Sequence, residues 1–258
     1  MQSVCGMEIS MHHFFVSQEQ IDLENKKIFI QGRDVNHIKN VLRIKTGDEI
    51  LISDGTGNDY VVSVEKYCDD DKIITGIKEE IFSGTELSSE IYLFQGLPKS
   101  DKMELIIQKA VELGVHGIVP VSTRRAIVKL EGKKADSKIA RWNAISESAA
   151  KQSRRGIVPK VYNIMSFKEA IDFAKDYDVN FIPYENYKDM KDTKEAVGQV
   201  SEDQKIGVFI GPEGGFEEEE VQYAIDNGVK PISLGKRILR TETAGLMIVS
   251  VLMFKLEN

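Results

Sequence analysis

The sequence has few of the residues that make covalent or metal frameworks. Two cysteines, Cys5 and Cys68, in 258 residues give no disulfide scaffold and read as reduced thiols of a cytoplasmic protein. The four histidines, His12, His13, His37 and His116, stand at no metal-ligand spacing with cysteine or carboxylate, so no metal is expected. No apolar run reaches bilayer length, so neither a transmembrane helix nor a membrane partner is expected. The stretch Met1 to Met11 lacks the basic and long apolar regions of a signal peptide, and residues 1–10 read as an unstructured extension or an alternative start. No internal repeat of solenoid period is present.

The net charge of −7, taken alone, argues against a nucleic-acid partner. Its distribution argues the other way. Between Arg124 and Lys160 stand eleven Lys or Arg against three Asp or Glu, which leaves the rest of the chain strongly acidic. Such a segment is either an electrostatic footprint for phosphate or a solvated helix face. Trp142, the only tryptophan, lies inside it and reads better as packing than as a base-stacking platform.

The chain length suffices for one large or two ordinary domains. From residue 11 to about 82 short strands are expected at 27–30, 49–53, 60–64 and 72–77. Turns are expected at Gln31-Gly32, Thr46-Gly47-Asp48, Asp54 to Asn58 and Asp69-Asp70-Asp71. A short helix fits between Asp34 and Leu42, with Asp34 as its N-cap. Many short strands with regular turns suggest a small, partly closed β-barrel. The small polar stretch 83–89 suits a linker.

From Glu90 strands and helices alternate, the signature of a mainly parallel sheet covered by helices. Strands are expected at 91–94, 117–121, 158–162, 180–183, 206–210 and 231–234. Helices are expected at 101–113, 135–153, 167–175, 189–197, 217–227 and 242–256. Asp101 and Glu104 stand at capping-box spacing, and Thr241 or Thr243 is expected to cap the final helix. That helix is apolar nearly all round, which suits either a central helix or a dimer interface.

Two glycine-rich stretches organise the C-terminal half. They are Ile210-Gly211-Pro212-Glu213-Gly214-Gly215-Phe216 and Leu234-Gly235-Lys236-Arg237-Ile238-Leu239-Arg240-Thr241-Glu242-Thr243-Ala244. Each follows an expected strand and leads into a helix, where open α/β sheets bind ligands. Neither is a dinucleotide fingerprint or a P-loop. Such loops bring backbone groups close to a flat ligand such as adenine. Glu213 would contact the ligand or cap a turn. Arg237 and Arg240 would stabilise substrate charge or pair with Glu242 to fix the loop.

Further motifs precede these stretches. They are His37-x-x-x-Val41-Leu42-Arg43 with Gly47-Asp48, Gly96-Leu97-Pro98-Lys99 with Lys102, and Lys109-x-x-Glu112-Leu113-Gly114-Val115. Arg141-Trp142 and Glu147-x-Ala149-x-x-Gln152-Ser153-x-Arg155 follow. In this order, over nearly the whole chain, the set resembles the RsmE-type family, the uracil-N3 methyltransferases of 16S ribosomal RNA in the SPOUT superfamily.

The resemblance implies an α/β fold: a SPOUT domain over residues 90–258 with a deep trefoil knot and a mainly parallel sheet, after a PUA-like β-barrel over residues 1–82. It implies S-adenosylmethionine as cofactor, a homodimer, and 16S rRNA within the 30S subunit as substrate. The cofactor would be held by Tyr184, Glu185, Ile210, Gly211, Pro212, Glu213, Gly215, Leu234, Gly235, Ile238, Leu239 and Thr243. RNA would be held by Arg43, Lys99, Lys102, Gln152, Arg154 and Arg155. Arg240, Arg155 and Glu242 would be the catalytic candidates. Ribose 2′-O-methylation and a non-catalytic role in ribosome assembly are the competing functions.

Overall fold

The computed structural model describes residues 11–68, 71–81, 84–184, 187 and 190–257. The expected extension at 1–10, most of the turn at 69–71 and the first residue of the linker lie outside them. The chain divides into two compact units, Met1–Glu86 with Arg154–Ile157, and Leu87–Ser153 with Val158–Asn258.

The first unit contains β1 (His13–Phe15), β2 (Ile21–Asp22), β3 (Lys27–Gln31), α1 (Arg33–Asn36, continued by a π-helical turn His37–Val41), β4 (Glu49–Ser53), β5 (Asp59–Cys68) and β6 (Lys72–Ile81). They form one sheet in the order β1-β4-β5-β6-β3-β2. Alternation sets its inner face: Ile28 and Ile30 of β3, and Ile50 and Ile52 of β4, are buried. These residues meet Phe14, Val62, Val64, Ile73 and, from the helical turn, Val35 and Ile38 in one cluster. Bulges between Val61/Val62 and Val64/Lys66 in the β5–β6 pairing bend the sheet so that it can wrap this core. Gly32, with φ of +76°, is the N-cap of α1, and Asp34 falls inside the first turn. The expected Asp34 cap is thus displaced by a residue that tolerates the left-handed backbone.

The second unit contains β7 (Glu90–Gly96), α2 (Lys102–Glu112), β8 (Gly117–Ser122), α3 (Gly132–Ser153), β9 (Lys160–Val161), β10 (Met165–Ser166), α4 (Phe167–Phe173), β11 (Val179–Pro183), α5 (Met190–Gly198), β12 (Lys205–Ile210), α6 (Glu218–Asp226), β13 (Lys230–Ile232) and α7 (Thr241–Leu256). The sheet order is β10-β8-β7-β12-β11-β13, with β9 also on β8, and every pairing in it is parallel. Tyr92 and Phe94 of β7 face a core closed by α4 and α6, where Phe94 and Phe209 stack at 4.3 Å. The opposite face carries α7, whose Gly245 lies over Leu93 and Gln95. In α2 the residues Met103, Ile106, Ile107, Ala110 and Val111 are buried at helical spacing, and α2 packs on α3 and α7.

Two expected caps are absent. Asp101 precedes α2 but makes no side-chain cap. Glu104 instead binds Arg141 of α3 at 2.8 Å, a long-range ion pair that draws the carboxylate away from the helix terminus. The N-cap of α7 is Arg240, also without a side-chain cap, because the Thr241 hydroxyl is used elsewhere. Trp142 is buried in α3, in a packing role.

Candidate active site

Neighbouring strands β12, β11 and β13 end at the same edge of the sheet, and the segments that follow them line one cavity of about 860 Å³. Its walls are Pro183 and Tyr184 at the end of β11, Ile210 to Phe216 from the last residue of β12 onward, Ser233 to Thr241 after β13, together with Lys102 and Ala244. This is the size of a small-molecule site at the carboxyl edge of an α/β sheet.

The first glycine loop folds tightly on itself. Gly215, with φ of +69°, donates its N–H to Pro212 at 2.9 Å. A Cβ on Gly211 would lie 3.0 Å from the Gly215 backbone. A Cβ on Gly96, at the end of β7, would lie 2.6 Å from Pro212 Cδ and 2.7 Å from its nitrogen. Backbone therefore rests on backbone here, and no side chain fits between. The loop's exit is held by Arg125, which donates to the Gly214 carbonyl and to Glu217, each at 3.0 Å. The Arg125 guanidinium holds the Glu217 carboxyl below the usual carboxylate range. Arg124 pairs with Glu219 at 2.8 Å. Two of the eleven cations in the basic segment are thus engaged by the acidic start of α6.

Glu213 faces the cavity and is multiply bonded. It accepts from the Lys99 backbone N–H at 3.1 and 3.3 Å and from the Lys102 ammonium at 3.0 Å. Burial pushes its carboxyl up, but these donors outweigh burial and hold it below the usual range. Lys102 also lies 3.3 Å from Glu242, an ion pair without hydrogen-bond alignment. Bonding to Glu213 raises the lysine's pKa.

The second loop turns at Gly235, with φ of +106°. Its Lys236, Arg237, Ile238 and Arg240 side chains are largely exposed at the cavity, Ile238 by 92%. Among the described residues neither Arg237 nor Arg240 has a side-chain hydrogen-bond or ion-pair partner. Of the two readings of these arginines, the pair with Glu242 does not form among the described residues; Glu242 lies 3.3 Å from Lys102 instead.

The RNA methyltransferase domain family matches residues 85–253, and the RNA methyltransferase PUA domain family matches residues 30–77. Ribosomal RNA small subunit methyltransferase E from Bacillus subtilis (strain 168) is 34% identical over 251 residues, spanning 96% of this chain and 98% of that protein. The protein of the same name from Mesomycoplasma hyopneumoniae (strain 232) is 33% identical, spanning 93% and 98%. The chain belongs to the ribosomal RNA small subunit methyltransferase E family. The crystal structure of the Neisseria gonorrhoeae family member, bound to S-adenosyl methionine, matches with a TM-score of 0.81 and 32% identity, covering 95% of this chain and 98% of that one. The PUA-like first unit and the parallel sheet of the second unit are therefore the family's fold.

Most of the cofactor candidates line the cavity: Tyr184, Ile210, Gly211, Pro212, Glu213, Gly215, Leu234, Gly235, Ile238 and Leu239. Glu185 lies outside the described residues. Thr243 is exposed and absent from the wall, whereas Thr241, expected only as a helix cap, lines it. The helical turn decides this, since Thr241 and Thr243 point to different sides of α7. Among the catalytic candidates Arg240 lines the cavity. Glu242 stands behind it on Lys102. Arg155 belongs to the first unit, is 4% exposed, and is gripped by Glu86 through its Nε at 3.1 Å and a terminal guanidinium nitrogen. The same carboxylate accepts the Gly156 N–H at 2.9 Å. A guanidinium so enclosed has no exposed edge for substrate. Of the RNA candidates, Arg43, Lys99, Gln152 and Arg154 are exposed, and Lys102 is committed to the cavity wall.

Proposed function

We propose that this chain transfers the methyl group of S-adenosylmethionine to N3 of one uridine in 16S rRNA of the 30S subunit. The observation that carries this reading is the cavity at the ends of β11, β12 and β13, in a chain of this family. The walls suit the cofactor. Ile210, Phe216, Leu234, Ile238 and Leu239 supply apolar surface for an adenine, and the glycine backbones leave polar N–H and C=O groups within reach of its edge.

When bound, the cofactor supplies an electrophilic methyl on sulfonium. The chain's task is then to position uracil N3 in line at roughly 3–3.5 Å and to stabilise the negative charge that spreads to O2 and O4 once N3 loses its proton. Arg240, a cation at the cavity without a partner among the described residues, is placed to do so. Glu242 lies 3.3 Å from Lys102 and outside the cavity lining, so the N3 proton is assigned to solvent.

We infer that the chain between β11 and α7 is threaded in the family's trefoil knot. We infer also that two copies pair through α7, which leaves Phe254 83% and Val251 39% exposed on one helix. A paired face of this kind would cover them. Arg43, Lys99, Gln152 and Arg154 are assigned to rRNA backbone, and the substrate places the protein in the cytoplasm.

The test uses 30S subunits from cells lacking the protein, incubated with the purified chain and labelled S-adenosylmethionine, with the product nucleoside mapped by mass spectrometry. A single 3-methyluridine in 16S rRNA is the expected result. A ribose methyl would replace the base reading, and RNA binding without methyl transfer would make the chain an assembly factor.

A further inference from the structure

Lys102 has the sequence context of an RNA contact, yet its ammonium faces inward. It lies 3.0 Å from Glu213 and 3.3 Å from Glu242. These carboxylates belong to different parts of the chain. Glu213 is the only charged residue of the first glycine loop, and Glu242 stands in the first turn of α7, directly after the second loop. Lys102 opens α2. One ammonium thus joins three elements around the cavity, and the side chains of all three residues are at most 29% exposed.

The glycine loops need such a tie. Gly211, Gly214 and Gly215 contribute no side chain that could pack, and glycine loses the most backbone freedom on ordering. The loop's shape must be imposed by its neighbours. Arg125 and Thr241 hold its backbone carbonyls, and Glu213 is the loop's own charged anchor. Its carboxylate accepts the Lys99 N–H, shared between both oxygens, and the Lys102 ammonium. A loop already held in its binding shape gives up less entropy when a ligand arrives.

We propose that Lys102 is a positioning residue of the cofactor cavity, acting through Glu213 and Glu242 to hold both glycine loops in their binding shape. The proposal rests on the reading that the cavity takes S-adenosylmethionine. It assigns Lys102 to cofactor affinity and not to RNA.

Isothermal titration with S-adenosylhomocysteine, on the full chain, tests it. Lys102→Ala is expected to weaken binding about tenfold, Lys102→Arg to recover most of the loss, and turnover at saturating cofactor to stay within about threefold of wild type. Glu213→Gln is expected to weaken binding similarly, and the double variant to show less than the summed loss, because the two side chains act as one unit. Cofactor affinity unchanged in Lys102→Ala, with weaker RNA binding and a salt slope lowered by about one, would overturn the proposal in favour of a phosphate contact. Lys102→Gln serves where the alanine variant does not fold. Loss of cooperative melting in both would also overturn it, by making the lysine a general structural support. A wild-type chain that does not bind S-adenosylhomocysteine would instead defeat the cofactor reading itself.

Discussion

Thr241 donates its hydroxyl to the Gly211 carbonyl at 2.6 Å and accepts the Gln95 side-chain amide at 2.9 Å. The end of β7, the first glycine loop and the start of α7 are thereby joined by one hydroxyl. Gln95 is completely buried, so water cannot replace that acceptor. Thr241→Val keeps the shape and removes the hydroxyl. It leaves a carbonyl and a buried amide each short of a partner, at a cost of about 1–3 kcal/mol. Urea unfolding should show that loss for Thr241→Val, with Thr241→Ser retaining most of the stability. Equal midpoints for valine and wild type would show that the hydroxyl chain adds nothing.

Gly96→Ala tests the contact between β7 and the first loop. Its Cβ would meet Pro212 backbone and ring at 2.7 and 2.6 Å, distances that require the loop to move. Overpacking of this kind costs about 1–3 kcal/mol, and a displaced loop should lose S-adenosylhomocysteine in titration calorimetry. A Gly96→Ala chain that binds the ligand like wild type would mean that the loop shifts without consequence for the cavity.

What the sequence made legible is what local pattern controls. Short runs bounded by turn signals marked β3 and β4, and glycine runs after apolar strands marked the cavity's two long walls. The two-residue strands β2 and β10 carry too little pattern to be seen. The Asp101–Glu104 box failed because Arg141, thirty-seven positions away, competes for the same carboxylate. The roles of Gln95, Arg125 and Thr241 depend on partners far along the chain, which spacing does not encode. Arg155 was misleading for the same reason: a basic residue in a basic stretch looks available until Glu86 is seen around it.

That enclosed pair gives a stability prediction. Arg155 is 4% and Glu86 22% exposed, and removing one member of a pair so shielded from water costs up to roughly 3–5 kcal/mol. Arg155→Met and Glu86→Gln should each lower the unfolding free energy by an amount in that range, and the double variant should lose less than their sum. Additive losses in chemical denaturation would mean that the pair is not the stabilising unit.

The Glu213 carboxyl predicts acid sensitivity. Its pKa is held below the ordinary 4.5 in the folded chain, so ionised Glu213 stabilises the fold above the unfolded value. That contribution disappears as pH falls through the lower folded value. Lys102, raised above 10.5, contributes below that pH and ceases to do so as pH rises through its folded value. The stability difference between wild type and Glu213→Gln should therefore be largest near neutrality and shrink on acidification. A difference independent of pH from neutral to strongly acid, measured by thermal melts, would remove the ionised carboxylate from the account.

Arg240 carries the chemical part of the proposed function. It precedes α7 in extended backbone, with φ of −66° and ψ of 154°, so its side chain departs from the loop and not from the helix barrel. It lines the cavity and has no carboxylate partner among the described residues. A cation so placed is available to a uracil whose N3 proton has left. Loss of one such donor typically slows turnover by about 10²–10³-fold. Arg240→Ala should show that loss under single-turnover conditions, while S-adenosylhomocysteine affinity changes by less than about threefold. Arg240→Lys should recover part of the rate, since the charge returns without the planar pair of donors. Unchanged turnover in Arg240→Ala would take the arginine out of the transition state and leave stabilisation of the uracil anion to Arg237 or to a backbone N–H of the glycine loops.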